Sequence, residues 1–106
     1  MREGLRIGDR VTSRGPLVDA QGERVGSAYM DCVVMRRLTT GQGLYRCSYL
    51  LKLPDGDLDM QGLDPHGVSV SAFAVMGGTG AYRTARGDAV FTDSASGTEM
   101  VIDLVG

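Results

Sequence analysis

Met76-Gly-Gly-Thr-Gly-Ala-Tyr-Arg-Thr-Ala-Arg-Gly-Asp-Ala-Val-Phe91 is the stretch on which the reading of this chain turns. Three glycines within four residues close the apolar run Phe73-Ala-Val-Met76, and Thr84 to Phe91 then reads as a new strand. Glycine is required where a chain turns with positive φ or lets another backbone come close. A phosphate-cradling loop is the rival reading. A dinucleotide fingerprint needs a third glycine at the position of Arg83 with a helix behind it, and a P-loop needs a Lys-Ser/Thr pair. Neither is present, so the glycines mark a tight turn between two strands.

Outward from this turn the pattern repeats. Sixteen glycines, no tryptophan and six aromatic residues in 106 suggest many short strands joined by tight turns. Arg10 to Val18 reads as a first strand containing Gly15-Pro16, which assigns it to an edge or a bulge because proline cannot donate to a ladder. Asp19 to Gly22 is a turn, and Arg24 to Arg36 a long second strand. A loop from Leu38 to Gly43 leads to Tyr45–Leu53, and Pro54-Asp55-Gly56 is a strong turn signal. Asp57–Leu63, a turn over Asp64-Pro65-His66-Gly67, Val68–Met76, Thr84–Phe91 and Thr98–Val105 complete the series. Residues 1–8 read as an arm and 9–106 as one domain. No 3.6-residue apolar period persists, and turns this short call for antiparallel neighbours. The expected fold is all-β, a small antiparallel, lipocalin-like β-barrel of about eight strands in a single domain, with a sandwich as the competing architecture.

Composition excludes several functions. The net charge is −2, and the basic residues, ten of eleven being Arg, are scattered along the chain with only Arg36 and Arg37 adjacent. Nucleic-acid binding needs a concentrated basic face, so no nucleic-acid partner is expected. No run approaches the ~20 apolar residues of a membrane span, and the first residues lack the apolar core of a signal peptide. No membrane partner and a cytoplasmic location follow as expectations.

Alternation assigns the interior. On the third strand Tyr45, Cys47, Tyr49, Leu51 and Leu53 share one face. With the preceding loop centred near Thr40-Gly41, Cys32 faces Tyr49 and Val34 faces Cys47, which brings Met30, Cys32 and Val34 to the same side. Leu58, Met60 and Gly62 follow on the fourth strand, and Met100, Ile102 and Leu104 on the last. A barrel of this size either fills with side chains or holds one small ligand. For any single one of these residues plain packing is the ordinary role. Outward-facing Leu50, Val33 and Val101 hint at self-association, a dimer or trimer.

Little else carries chemistry. In this register Cys32 and Cys47 are diagonal, so a disulfide needs a shifted pairing. Two cysteines and one distant histidine do not supply a zinc set, and no metal or cofactor is expected. His66 sits in a Pro-Gly turn, more fitting for a loop than for a general base. The Asp55/Asp57/Asp59 and Asp88/Asp93 carboxylates read as solvated charges. Tyr49, mid-strand and among apolar neighbours, must satisfy its hydroxyl with a backbone carbonyl or with a ligand. It is the candidate donor to a ligand carbonyl, where a hydrogen bond would stabilise developing negative charge. Met30, Cys32, Val34, Tyr45, Cys47, Leu51 and Met60 are the candidate substrate-binding residues around it.

The segment Gly77 to Gly80, with Tyr82 and Gly87, resembles the glycine-rich turn of the allene oxide cyclase barrel family, to which the plant dirigent proteins also belong. The resemblance extends through Cys32-Val-Val, Tyr45, Tyr49, Pro54-Asp-Gly56 and Gln61-Gly62, and covers roughly Asp9 to Phe91. It implies an apolar barrel with Cys32 in the pocket and Tyr45 and Tyr49 at aromatic positions. The family's catalytic glutamate and water-binding asparagine have no counterpart, so allene oxide cyclase activity itself is not expected. Gly15 to Gly26 is similar to the first hairpin of bacterial polyketide cyclases, which close rings by intramolecular [4+2] reactions. The resemblance therefore implies a cofactor-free cyclase acting on an apolar linear intermediate. The alternatives are a non-catalytic, dirigent-like or lipophilic-ligand-binding barrel, and a structural dimerisation module.

Overall fold

The computed structural model describes residues 6–37, 43–65 and 70–105, with the side chains of Arg37 and Pro65 left aside. His66, Val68, Thr40-Gly41 and most of the expected arm lie outside the described residues. Seven strands run in chain order: β1 Arg10–Val18, β2 Arg24–Arg37, β3 Gly43–Leu53, β4 Gly56–Pro65, β5 Val70–Gly78, β6 Arg86–Ser94 and β7 Gly97–Val105. Every neighbour is antiparallel, and the spatial order is the sequence order. The sheet curls into a half-barrel, so a Tyr49 ring on β3 meets a Phe91 ring on β6 across the hollow. Barrel-like closure is present in kind, but the hydrogen-bonded ladder runs only from β1 to β7 and does not join them. β1, with Gly15-Pro16 inside it, is an edge strand as its proline requires.

The glycine-rich turn has a specific task. Its centre is a single 3-10 turn, Gly80–Tyr82, and it docks backbone to backbone on the Pro54-Asp55-Gly56 hairpin. Thr79 N–H donates to the Asp57 carbonyl (2.9 Å), Ala81 N–H to the Asp55 carbonyl (2.9 Å), and Asp57 N–H to Thr79 Oγ1 (3.0 Å). A Cβ on Gly78 would land on the Asp57 carbonyl, and one on Gly56, at φ +146°, on the Thr79 carbonyl. Two turns far apart in sequence are thus locked where Gly56, Gly78 and Gly80 leave no room for a side chain, which explains the spacing without any phosphate.

The inward face carries the core. Val34, Cys47, Leu51, Leu58 and Met60 are sealed from solvent, joined by Cys32, Phe73, Val75, Ala89 and Phe91. The expected inner positions of β2, β3 and β4 are therefore the inner positions, while Leu104, at the far end of edge strand β7, is 44% exposed. One pairing differs from expectation. Cys32 lies directly opposite Cys47, with Cα atoms 4.1 Å apart, and the two form a disulfide. The cause is a bulge between Val34 and Arg36, together with a hairpin that closes from Arg37 to Gly43. Together they slide the ladder by two residues relative to a loop centred at Thr40-Gly41. A slide of two keeps each side chain on its face while changing its partner.

Two outcomes follow. Gly78→Ala should cost about 1–3 kcal/mol, the usual penalty for forcing atoms into a packed site, read as a lower midpoint in chemical denaturation; an unchanged midpoint would mean the two turns do not dock. Replacing both Cys32 and Cys47 by Ala should lower unfolding stability by about 2–4 kcal/mol, since the bridge restrains the unfolded chain. Equal stability of the oxidised protein and the double variant would contradict the bridge.

Candidate active site

Because β1 and β7 are not hydrogen-bonded to each other, an open seam remains between them. A cleft of about 350 Å³ enters there, bordered by Ser13 to Leu17 on β1, Met30 on β2 and Thr98 and Met100 on β7, with the Tyr49 and Phe91 rings at its base. A second hollow of about 560 Å³ continues along the same seam, sharing Leu17 and Met100 and reaching Leu51, Leu53 and Ile102. Both volumes lie in the range of small-molecule sites.

The base of the cleft is built by ring contacts. Phe73 meets Tyr49 edge-on at 5.2 Å and Phe91 at 4.8 Å, while Tyr49 and Phe91 lie 4.6 Å apart, tilted. Such contacts add about 0.5–1.5 kcal/mol each beyond burial and fix ring orientation. Tyr49 is half-buried. Its hydroxyl makes no hydrogen bond to a described residue, and no buried side-chain polar atom among them lacks a partner. Tyr49 borders the cleft. Burial pushes the Tyr49 phenol above the ordinary tyrosine range, and the negative charges of Asp64 and Asp93 push it the same way. Both effects disfavour phenolate, so Tyr49 is a neutral donor throughout the physiological range.

The sequence-based candidates separate into two groups. Met30 and Tyr49 border the cleft, and Leu51 borders its continuation. Cys32, Val34, Cys47 and Met60 lie in the packed core. Tyr45 is partly buried against that core and stands opposite Asp64. Phe73, Phe91, Ser13, Leu17 and Thr98 were not among the candidates. Phe73-Ala-Val75 and Ala89-Val-Phe91 do alternate, but alanine and valine occupy both phases and dilute the signal. Proximity of β1 to β7 has no local signature at all. Among the described residues no group of His, Cys, Asp and Glu is arranged to hold a metal, and no helix is long and apolar enough to cross a membrane.

The family model for the allene oxide cyclase barrel-like domain matches residues 1–105. The chain belongs to that family. No curated protein matches it in sequence. Among solved structures, a pyocyanin demethylase superposes with a TM-score of 0.85 at 22% identity, over 99% of this chain and 86% of its own. A nonspecific heme-binding cyclase, which catalyses a [4+2] cycloaddition in neoabyssomicin biosynthesis, gives 0.75 at 20%, over 97% of this chain and 55% of that one. The Diels–Alderase AbmU from Streptomyces koyangensis gives 0.74 at 19%, over 99% and 56%. The chain thus spans a little over half the length of either cyclase, and identities this low establish the shared fold.

A direct titration checks the site. Tyr49 should ionise later than a free tyrosine, whose pKa is about 10, and Tyr49→Phe should remove that late step from the alkaline ultraviolet titration. Since the folded state holds the proton more tightly, stability is intact below the unfolded tyrosine's pKa and declines as pH rises through the folded one. A Tyr49 that ionises with the exposed tyrosines would contradict the burial.

Proposed function

We propose that this protein is a cofactor-free cyclase of natural-product biosynthesis, holding a linear apolar polyketide-like intermediate in the β1–β7 cleft and promoting its intramolecular closure by a [4+2] reaction. One observation carries the reading: a neutral Tyr49 at the base of a cleft whose apolar walls are Leu17, Met30, Phe91 and Met100, with Ser13, Arg14 and Thr98 as its other polar side chains. In a [4+2] closure four π electrons of a diene and two of a dienophile become two σ bonds and one new π bond. No proton is transferred and no electron is gained or lost. The demands on the protein are a near-attack conformer, exclusion of water and a donor that polarises a conjugated carbonyl. Met30 and Met100 give the walls an adaptable apolar surface, and Tyr49 gives the donor. Two of the structural neighbours close rings and the third demethylates pyocyanin, so small-molecule chemistry is common to all three. The Cys32–Cys47 bridge belongs to a compartment where thiols are not kept reduced, which weighs against the cytoplasmic location expected from the sequence.

The second reading is a dirigent-like or lipophilic-ligand-binding barrel. It is favoured by the modest polar equipment of the cleft, where Ser13 and Thr98 are the side-chain hydroxyls beside Tyr49. Incubation with a linear tetronate or tetramate precursor separates the two. Under the cyclase reading product forms faster with protein than without, and Tyr49→Phe slows it about tenfold or more, the value of one donor aimed at developing charge. Equal rates with and without protein would end the cyclase reading, and an unchanged Tyr49→Phe rate would remove Tyr49 from the mechanism.

A further inference from the structure

Gly15 has no structural reason to be glycine. Its backbone lies outside the left-handed region, and a Cβ added to it would meet nothing within 4 Å. Gly56, Gly78 and Gly87, by contrast, would each drive a Cβ into a backbone carbonyl. Glycine inside a strand weakens it, so a bare position that the fold does not demand points to something passing over the backbone. Gly15 stands where that can happen. It lies within edge strand β1, opposite the small side chain of Ala28. Its neighbour Pro16 brings no N–H to the seam, which bars a further strand from pairing there.

Two hollows meet at this bare step. The cleft over Tyr49 borders Arg14, Gly15 and Pro16 from the inner side of the sheet. A hollow of about 260 Å³ on the outer side borders the same three residues, together with Arg24, Ser27 and Tyr29. The register sets Arg14 opposite Tyr29 and Pro16 opposite Ser27, out of phase with the inward row Ser13–Met30–Tyr49. This outer hollow is equipped for negative charge. Arg24 is held in place by its own strand, its Nε donating to the Gly26 carbonyl (3.3 Å) and its Nη2 to Ser27 Oγ (2.9 Å). Neither Arg14 nor Arg24 has a carboxylate partner among the described residues, and Asp31, the one acidic residue of β1 to β3, is taken by Arg10. Two guanidinium forks beside one hollow match the planar oxygens of a carboxylate or phosphate.

We propose that the ligand of the cleft carries a terminal oxyanion, a carboxylate or a phosphate monoester, which crosses the β1 edge over Gly15 and is bound on the outer side by Arg14 and Arg24. The apolar chain lies in the cleft, while the charge stays at a rim that water also reaches. The row Tyr49–Met30–Ser13 crosses two strand spacings, about 10 Å in all, so a decyl chain reaches from Tyr49 to the edge. An anion fixed at one end also fixes how far the chain enters, and placement of that kind is what favours a near-attack conformer. The inference rests on the cleft as the ligand's seat, as the cyclase reading does, but not on ring closure.

Isothermal titration calorimetry with decanoate, decyl phosphate and 1-decanol tests it. At about 50 mM salt, where screening is weak, at least one anion should bind about tenfold or more tighter than 1-decanol, the value of hydrogen bonds to a charged group. The tighter anion identifies the headgroup. Arg14→Gln/Arg24→Gln should abolish the preference and leave 1-decanol binding unchanged. Gly15→Leu, whose side chain fills the step, should bring the anions down to the affinity of 1-decanol. Its chemical-denaturation midpoint should be kept or raised, because the fold has room for the side chain. Equal binding of anions and 1-decanol to the wild type, or a preference that survives either variant, would overturn the anion site and leave the cleft standing. A lowered midpoint in Gly15→Leu would return that glycine to the fold and remove the crossing point. Absence of binding by all three compounds would overturn the anion site and the cleft reading together.

Discussion

Three rings hold this molecule's shape. Tyr49, Phe73 and Phe91 come from β3, β5 and β6, and they meet across the hollow side of the sheet. Backbone hydrogen bonds tie each strand only to its neighbours and stop at β1 and β7. The curl therefore depends on side chains that reach over intervening strands, with Met60 packed beneath Tyr49 at the opposite ladder position on β4. The same rings form the base of the cleft. Structure and candidate chemistry thus share one cluster, and the aromatic contacts that bend the sheet also aim the Tyr49 hydroxyl into the space the bend creates.

The disulfide and the two docked turns secure the sheet on either side of that cluster. Cys32–Cys47 fixes β2 against β3 two ladder positions from Tyr49. The glycine-rich turn fixes the start of β4 against the end of β5 through Thr79 and Ala81. The seam has no such tie, since β1 and β7 lack a ladder between them. An entrance at an unpaired seam suits a site that must admit a long apolar molecule and then exclude water from it.

Much of this is legible in the sequence for a definable reason. Alternation along Tyr45 to Leu53 identifies the inner face because leucine, tyrosine and cysteine in one phase contrast with Arg46, Ser48 and Lys52 in the other. Gly15-Pro16 marks β1 as an edge because a missing N–H is a backbone fact, independent of context. The cysteine pairing was hidden by the hairpin closing from Arg37 to Gly43 and by the bulge at Val34/Arg36, whose single extra residue leaves no compositional mark. The seam was hidden for a different reason: contact between the first strand and the last is set by the accumulated curl of all seven. Charge behaves likewise. Arg14, Arg24 and Arg46 look dispersed along the chain, and only strand order brings them onto one face.

The seam as the ligand's seat is the claim on which the functional account stands. Methyl-resolved NMR of the protein titrated with a linear apolar tetronate tests it most directly. The methyl groups of Leu17, Met30 and Met100 should shift and saturate together, with Tyr49 ring signals moving in step. Shifts confined to Val90 and Val101 on the outer face, or none at all at saturating ligand, would contradict it.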